Sequence, residues 1–253
     1  MKLVLCGKGG CGKSTTTVLL AKELARNGKR VLVVDSDESN FGLHMQLGMP
    51  LPRDFIEAVG GREVITGKLM AAMESQQMPQ FFDAPWTISD IPAGYYEEKD
   101  GVTLIAAGKI DEAGEGCACA MGNVVAALLA NLQLTENDYV LVDMEAGVEH
   151  FGRGVDNFAD GILMVADTSF ESLRLSQKIL DMGQSIRKPV WFVLNKVTDE
   201  SKQIMQESIA DPSKVAGILF ADSALAAAGL KGDELTEARS DVEELAAFLM
   251  EQR

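Results

Sequence analysis

The sequence predicts an α/β protein built on a doubly wound, mostly parallel sheet flanked by helices. Three observations predict it. Largely apolar segments of strand length recur at residues 3–6, 30–35, 102–108, 138–143, 161–167, 190–194 and 215–220, several of them closed by an aspartate. A strand buried on both faces reads this way rather than as an alternation. Segments with apolar residues at helical spacing follow several of these runs. Finally, the first run passes through a glycine-rich turn straight into the first helical segment, the order of a βα unit. All 253 residues are read as one such domain, with a variable helical and loop insertion around residues 43–100.

The first run, Leu3-Val4-Leu5-Cys6, leads into Gly7-Lys8-Gly9-Gly10-Cys11-Gly12-Lys13-Ser14, then Thr15. This is G-x-x-x-x-G-K-[ST], a phosphate loop. Its backbone N–H groups wrap phosphates, Lys13 reaches the β/γ-phosphates and the Ser14 hydroxyl ligates Mg²⁺. Glycines are required because the backbone must approach the anion in conformations that a Cβ forbids. Val18, Leu19, Leu20, Ala21, Leu24 and Ala25 then fall at helical spacing, and Gly28 supplies a stop. The helix N-terminus turns its partial positive charge toward the phosphates. ATP or ADP with Mg²⁺ is the expected occupant. The same dipole is expected to lower the Cys11 thiol pKa.

The second run, Arg30–Asp35, ends in Asp35-Ser36-Asp37, an acidic pair at the strand end where open α/β sheets place ligands. A carboxylate there suits phosphoryl transfer, which rests on placement and charge stabilisation; a turn-forming role stays open. Residues 43–100 are broken by Pro50, Pro52, Gly60, Gly61, Pro79, Pro85 and Pro92. A helix is expected over 62–74. Met70, Met73 and Met78 read as core filling, His44 as structural, and no function is assigned to the stretch.

After the run at 102–108 come Cys117 and Cys119, flanked by Gly116 and Gly122, then a helix carrying Val124, Val125, Leu128, Leu129 and Leu132. Two thiols cannot complete a four-ligand soft-metal site, but two copies of the chain could. A purely structural pair is the open alternative. The run at 138–143 ends in Asp143, placed to hold Mg²⁺ through water. His150, just beyond, reads as a surface or capping residue. The run at 190–194 ends at Asn195-Lys196-Val197-Thr198. It resembles the base-reading loop of phosphate-loop proteins, yet lacks the aspartate of guanine readers at 198. That favours adenine, with Asn195 as the base contact. Residues 233–252 read as an acidic amphipathic helix through Leu235, Val242, Leu245, Phe248 and Leu249.

Composition narrows the partners. A net charge of −15 opposes non-specific binding to nucleic acid or an anionic membrane. No apolar run reaches spanning length, and the N-terminus lacks signal-peptide order, so a cytoplasmic location is expected. Four cysteines in 253 residues do not resemble a secreted disulfide framework.

The lysine directly after the first glycine, Lys8, makes the loop G-K-G-G-x-G-K-S. This resembles the deviant Walker A of the MinD/ParA/ArsA/nitrogenase-iron-protein group of dimeric ATPases. The resemblance implies that Lys8 crosses a dimer interface to the partner's nucleotide. It also implies that Asp37 orients the attacking water, so that Lys8, Lys13 and Asp37 form the catalytic set. Within that group, the glycine-flanked C-x-C and the stretch Asp143-Met144-Glu145-Ala146-Gly147-Val148-Glu149-His150, with Arg153-Gly154 beyond, look like the CooC-type carbon monoxide dehydrogenase accessory ATPases. The wider group has D-x-P-x-G at this switch; here Glu145 and Ala146 stand where the proline-containing turn is expected, while Asp143 and Gly147 keep their places. The likeness implies that Gly147 donates its N–H to the γ-phosphate. It further implies that Cys117 and Cys119 bind Ni²⁺ or Zn²⁺ in a homodimer formed on ATP or metal, and that carbon monoxide dehydrogenase is the target. A [4Fe–4S] electron-transfer protein and a ParA/MinD-type positioning ATPase are the alternatives. The resemblance spans nearly the whole chain and is weakest across 43–100.

Overall fold

The computed structural model describes residues 1–38, 40–75, 79–109, 119–147 and 154–252, without the side chains of 73, 119 and 120. Its strands are β1 (Lys2–Cys6), β2 (Arg30–Asp35), β3 (Glu97–Lys99), β4 (Val102–Ala106), β5 (Asp138–Asp143), β6 (Gly161–Ala166), β7 (Val190–Val197) and β8 (Val215–Phe220). They form one sheet in the order β3-β4-β2-β5-β1-β6-β7-β8. Every pairing is parallel except that of β3 with β4. The chain leaves β1 toward β2 and leaves β6 toward β7, on opposite sides. Their carboxyl ends therefore diverge, and such a switch point opens a crevice for ligands.

The helices are α1 (Lys13–Arg26), α2 (Leu43–Leu47), α3 (Phe55–Ala58), α4 (Gly61–Ser75), α5 (Cys119–Asn131), α6 (Phe170–Ser185), α7 (Asp199–Ser208), α8 (Ser223–Lys231) and α9 (Ser240–Glu251). Side chains alternate across each strand, so each apolar run feeds two cores. Leu3, Leu5, Val31, Val33, Leu163 and Val165 pack with α1 and α9 on one face. Val4, Leu32, Val34, Val140 and Val142 meet α3, α4 and α5 on the other. That layer continues under α6 and α7 through Cys6, Ile162, Met164, Phe192 and Leu194. Leu245 and Leu249 of α9 are fully buried. Each contributes about 1.5–3 kcal/mol, which fastens an otherwise acidic helix.

At the amino ends of the strands, Arg30 clamps Asp138 through two bonds, Nε to Oδ1 at 2.7 Å and Nη2 to Oδ2 at 2.9 Å. Burial pushes the Asp138 carboxyl up, but Arg30 and the Thr135 N–H more than offset this and hold it at about 2.

Some expectations change. The terminal helix starts only at Ser240. Residues just before it reach back instead: Glu234 takes Lys22 at 2.8 Å and Lys99 at 2.7 Å, and Leu235 N–H donates to Gln46 O at 2.9 Å. β7 runs on to Val197, so Asn195 lies inside a strand rather than in a loop after it. The charged edge strand β3 had no apolar signal. Met70 is 61% exposed and fills no core gap. The helix expected over 62–74 is α4. No described helix is long and apolar enough to cross a membrane.

Candidate functional site

The glycine loop sits between β1 and α1, and its shape is enforced from outside. Gly7 has φ +147°, and a Cβ there would stand 2.3 Å from the Val165 carbonyl oxygen of β6. Gly12 has φ +99°, and a Cβ there would stand 2.2 Å from Asn195 Nδ2. At Gly7 the obstacle is fixed backbone, whereas at Gly12 a side chain would have to displace the Asn195 amide. From β7, Asn195 Nδ2 donates to Cys11 O at 2.8 Å and Lys196 Nζ donates to Gly10 O at 2.6 Å. Lys196 holds a left-handed backbone, φ +57°, to do so. The Asn195 amide nitrogen thus braces the loop through one of its two N–H groups. Gly10 has open space around its missing Cβ, whereas a Cβ on Gly9 would stand 3.6 Å from the Ala146 methyl.

Cys11 is fully buried under this loop. Burial pushes its thiol up to about 11, overriding the opposite pull of Lys13. The expected lowering by the helix N-terminus is therefore reversed, because desolvation of a thiolate outweighs a helix-end dipole.

Ser14 Oγ donates to Asp143 Oδ2 at 2.6 Å, and Thr17 Oγ1 approaches Asp143 Oδ1 at 3.4 Å. Asn40 Nδ2 donates to Ser14 Oγ at 2.7 Å. The Asp143 carboxyl is fully buried; burial first, then the Asp35 charge, push it up to about 7 against the Ser14 hydroxyl and Lys13. A hydroxyl and a carboxylate this close form an all-oxygen donor pair. That chemistry fits Mg²⁺, a hard cation that takes one or two protein oxygens and completes its shell with water and phosphate.

Asp37 is half-buried at the end of β2. Its N–H donates to Asp35 Oδ1 at 3.3 Å. Asp35 itself is buried and paired with Lys109, Nζ to Oδ2 at 2.6 Å. Burial pushes the Asp35 carboxyl up to about 6 even with Lys109 opposing.

Lys8 lies at the loop surface, bonded within its own chain to Glu171 Oε2 at 3.0 Å and Ser169 Oγ at 3.3 Å. The Glu171 contact raises the lysine pKa. Lys13 is buried, with Nζ 3.5 Å from Lys8 O. Gly147, φ +99°, donates its N–H to Gly7 O at 3.1 Å. A γ-phosphate contact from Gly147 requires that bond to be exchanged. Thr15 is half-buried in the first turn of α1.

The structure therefore brings Ser14, Lys13, Asp143, Asp37 and Gly147 to the carboxyl ends of β1, β2 and β5. Cys117, Glu149, His150 and Arg153 lie outside the described residues; Cys119 opens α5, and only its backbone is described. Among the described residues no three His, Cys, Asp or Glu side chains cluster to hold a metal. Sequence reasoning missed Lys109, Asn40, Thr17 and Lys196. Lys109 had a signal, a lone cation directly after the glycine that ends a buried strand. Asn40 had none.

A glycine loop at a switch point, with a hydroxyl and a carboxylate at its helix start, defines a phosphate-loop nucleotide-binding protein. The chain belongs to the CobQ/CobB/MinD/ParA nucleotide binding domain family, which matches residues 2–235. It is 44% identical to an uncharacterized ATP-binding protein of Methanocaldococcus jannaschii, over 98% of this chain and 99% of that one. It is 31% identical to the carbon monoxide dehydrogenase accessory protein CooC of Rhodospirillum rubrum, over 99% of this chain and 97% of that one. The fold is similar to the septum site-determining protein MinD of Pyrococcus horikoshii complexed with Mg-ADP. There the TM-score is 0.66 at 16% identity, covering 98% of this chain and 95% of that one.

Proposed function

We propose that this chain is a cytoplasmic MgATP hydrolase that closes into a homodimer and assists nickel insertion into carbon monoxide dehydrogenase. On this reading residues 1–253 are one phosphate-loop ATPase domain and 43–100 its variable insertion. The single observation that carries the hydrolytic part is the Ser14–Asp143 oxygen pair, 2.6 Å apart beside the phosphate loop. The likeness to CooC and the C-x-C that meets the start of α5 support the metal part.

The loop amides and Lys13 bind the phosphates, and Lys8, released from Glu171, reaches the nucleotide of the second copy. Ser14 and Asp143 hold Mg²⁺, which supplies charge neutralisation at the phosphate oxygens. Asp37 orients a water on the γ-phosphorus. A new P–O bond forms to that water, the bond to the β–γ bridging oxygen breaks, and ADP and phosphate leave. Gly147 tracks the γ-phosphate. Asn195 faces the adenine side of the site. Cys117 and Cys119 from two copies supply four thiolates for Ni²⁺ or Zn²⁺ as cargo. Closure on triphosphate and reopening on hydrolysis are a shift between two states of different ligand affinity. The net charge of −15 speaks against nucleic acid or an anionic membrane as partner.

The test is a titration of Ni²⁺ and Zn²⁺ in ADP and in a non-hydrolysable ATP analogue, tracking mass and bound metal. Cys117→Ala with Cys119→Ala should abolish metal binding and leave basal ATP hydrolysis. Unchanged metal stoichiometry in that variant removes the metal role. A broad visible band in anaerobically purified protein points instead to a cluster.

A further inference from the structure

A buried lysine to which the chemistry above gives no role stands directly behind Asp37. Lys109 follows the end of β4, and its side chain is 3% exposed. Its ammonium donates to Asp35 Oδ2 at 2.6 Å, to Asp37 O at 2.7 Å and to Asn40 O at 2.5 Å. A lysine has three N–H donors, and these three acceptors all lie between Asp35 and Asn40. Lys109 is itself held in place: its N–H donates to Asp54 Oδ2 at 3.2 Å, and its carbonyl accepts from Arg62 Nη2 at 2.8 Å. At the far end, the Asn40 side chain donates to Ser14 Oγ at 2.7 Å. A continuous set of bonds thus runs from Lys109 through the backbone at 37 and 40 to the phosphate loop.

Neutralising the buried Asp35 carboxylate needs only the first of these bonds. The two carbonyl contacts do something else: they fix the main chain from which Asp37 and Asn40 present their side chains. We propose that Lys109 is a positioning residue for phosphoryl transfer, setting the backbone of Asp37 and Asn40 without itself touching the nucleotide. The inference rests on the reading that Asp37 orients the attacking water. Displacing such a group by about an ångström costs on the order of 100-fold in rate. Arginine cannot substitute, because its planar fork is larger and its donors diverge in fixed directions.

Lys109→Met alone strands a buried carboxylate and is expected to fold poorly. The paired variant Asp35→Asn with Lys109→Met removes both charges together. Its readouts are kcat and KM for ATP, the Kd of a fluorescent ADP, and amide hydrogen exchange of the peptides spanning residues 36–42. The expected result is a folded protein whose ADP Kd stays within about threefold of wild type. Exchange across 36–42 should be about tenfold faster, and kcat should be down about 100-fold at little-changed KM. Lys109→Arg keeps the charge, so it should fold yet lose most of the turnover. Wild-type kcat and exchange in the paired variant overturn the proposal, since Lys109 then does nothing beyond balancing Asp35. If the unaltered protein hydrolyses no ATP, the Asp37 reading fails by itself. The exchange measurement then still decides whether Lys109 holds the segment.

Discussion

Replacing Gly12 with alanine should destabilise the protein by about 2–4 kcal/mol in the absence of any nucleotide. Two separate costs make up that figure. Gly12 has φ +99°, and a side chain there costs about 1–3 kcal/mol in backbone strain. The new methyl would also stand 2.2 Å from Asn195 Nδ2, which must then leave the Cys11 carbonyl it holds at 2.8 Å. Losing that bond beside a buried loop costs about 1 kcal/mol more. The two parts separate in a double-mutant cycle with Asn195→Ala, read by urea unfolding. In that background the clash is gone, so Gly12→Ala should cost only its strain. The coupling between the sites should be about 1 kcal/mol. Equal costs in both backgrounds, or a Gly12→Ala protein as stable as wild type, would refute the view that β7 moulds the phosphate loop.

Other outcomes follow from single contacts. Lys8→Ala should keep nucleotide affinity within about tenfold and lose ATP-dependent dimerisation. Glu171→Gln, which frees Lys8 from the 3.0 Å ion pair within its own chain, should let dimers form at lower ATP; centrifugation decides both. Acid unfolding should carry a signature of Asp138, held at about 2 in the folded chain. A depressed carboxylate adds stability that is present above its unfolded pKa near 4. That stability, about 2 kcal/mol, is lost as pH falls toward 2. Arg30→Met should flatten that slope, and an unchanged slope would clear Arg30 of the role. Cys11, buried with its thiol at about 11, should alkylate with iodoacetamide at pH 8 far more slowly than after unfolding in urea. Equal rates would contradict its burial.

The fold was legible because buried parallel strands are written as continuous apolar runs. Arg30–Asp35, Asp138–Asp143 and Val215–Phe220 were bounded to the residue. The edge strand β3 escaped notice, because Glu97-Glu98-Lys99 is held by its hydrogen bonds to β4 and by no apolar pattern of its own. Residues 233–239 looked helical from composition, but Glu234 and Leu235 find partners in Lys22, Lys99 and Gln46, far away in the chain.

The site divides in the same way. Gly7 to Ser14 could be read from the order of residues, since a phosphate loop needs glycines, a lysine and a hydroxyl at set spacing along one turn. Asp37 and Asp143 stand out in the sequence because one lies just past the end of a buried strand and the other closes one. Lys109, Asn40 and the bracing action of Asn195 and Lys196 arise only when β4 is laid beside β2 and β7 beside β6, the neighbour of β1. Cys11 shows the limit most directly: its place at a helix start argued for an acidic thiol, while the core folded over it decided the opposite. Local chemistry is carried by spacing along the chain; burial and three-way contacts depend on which strands become neighbours, and the packed sheet alone settles that.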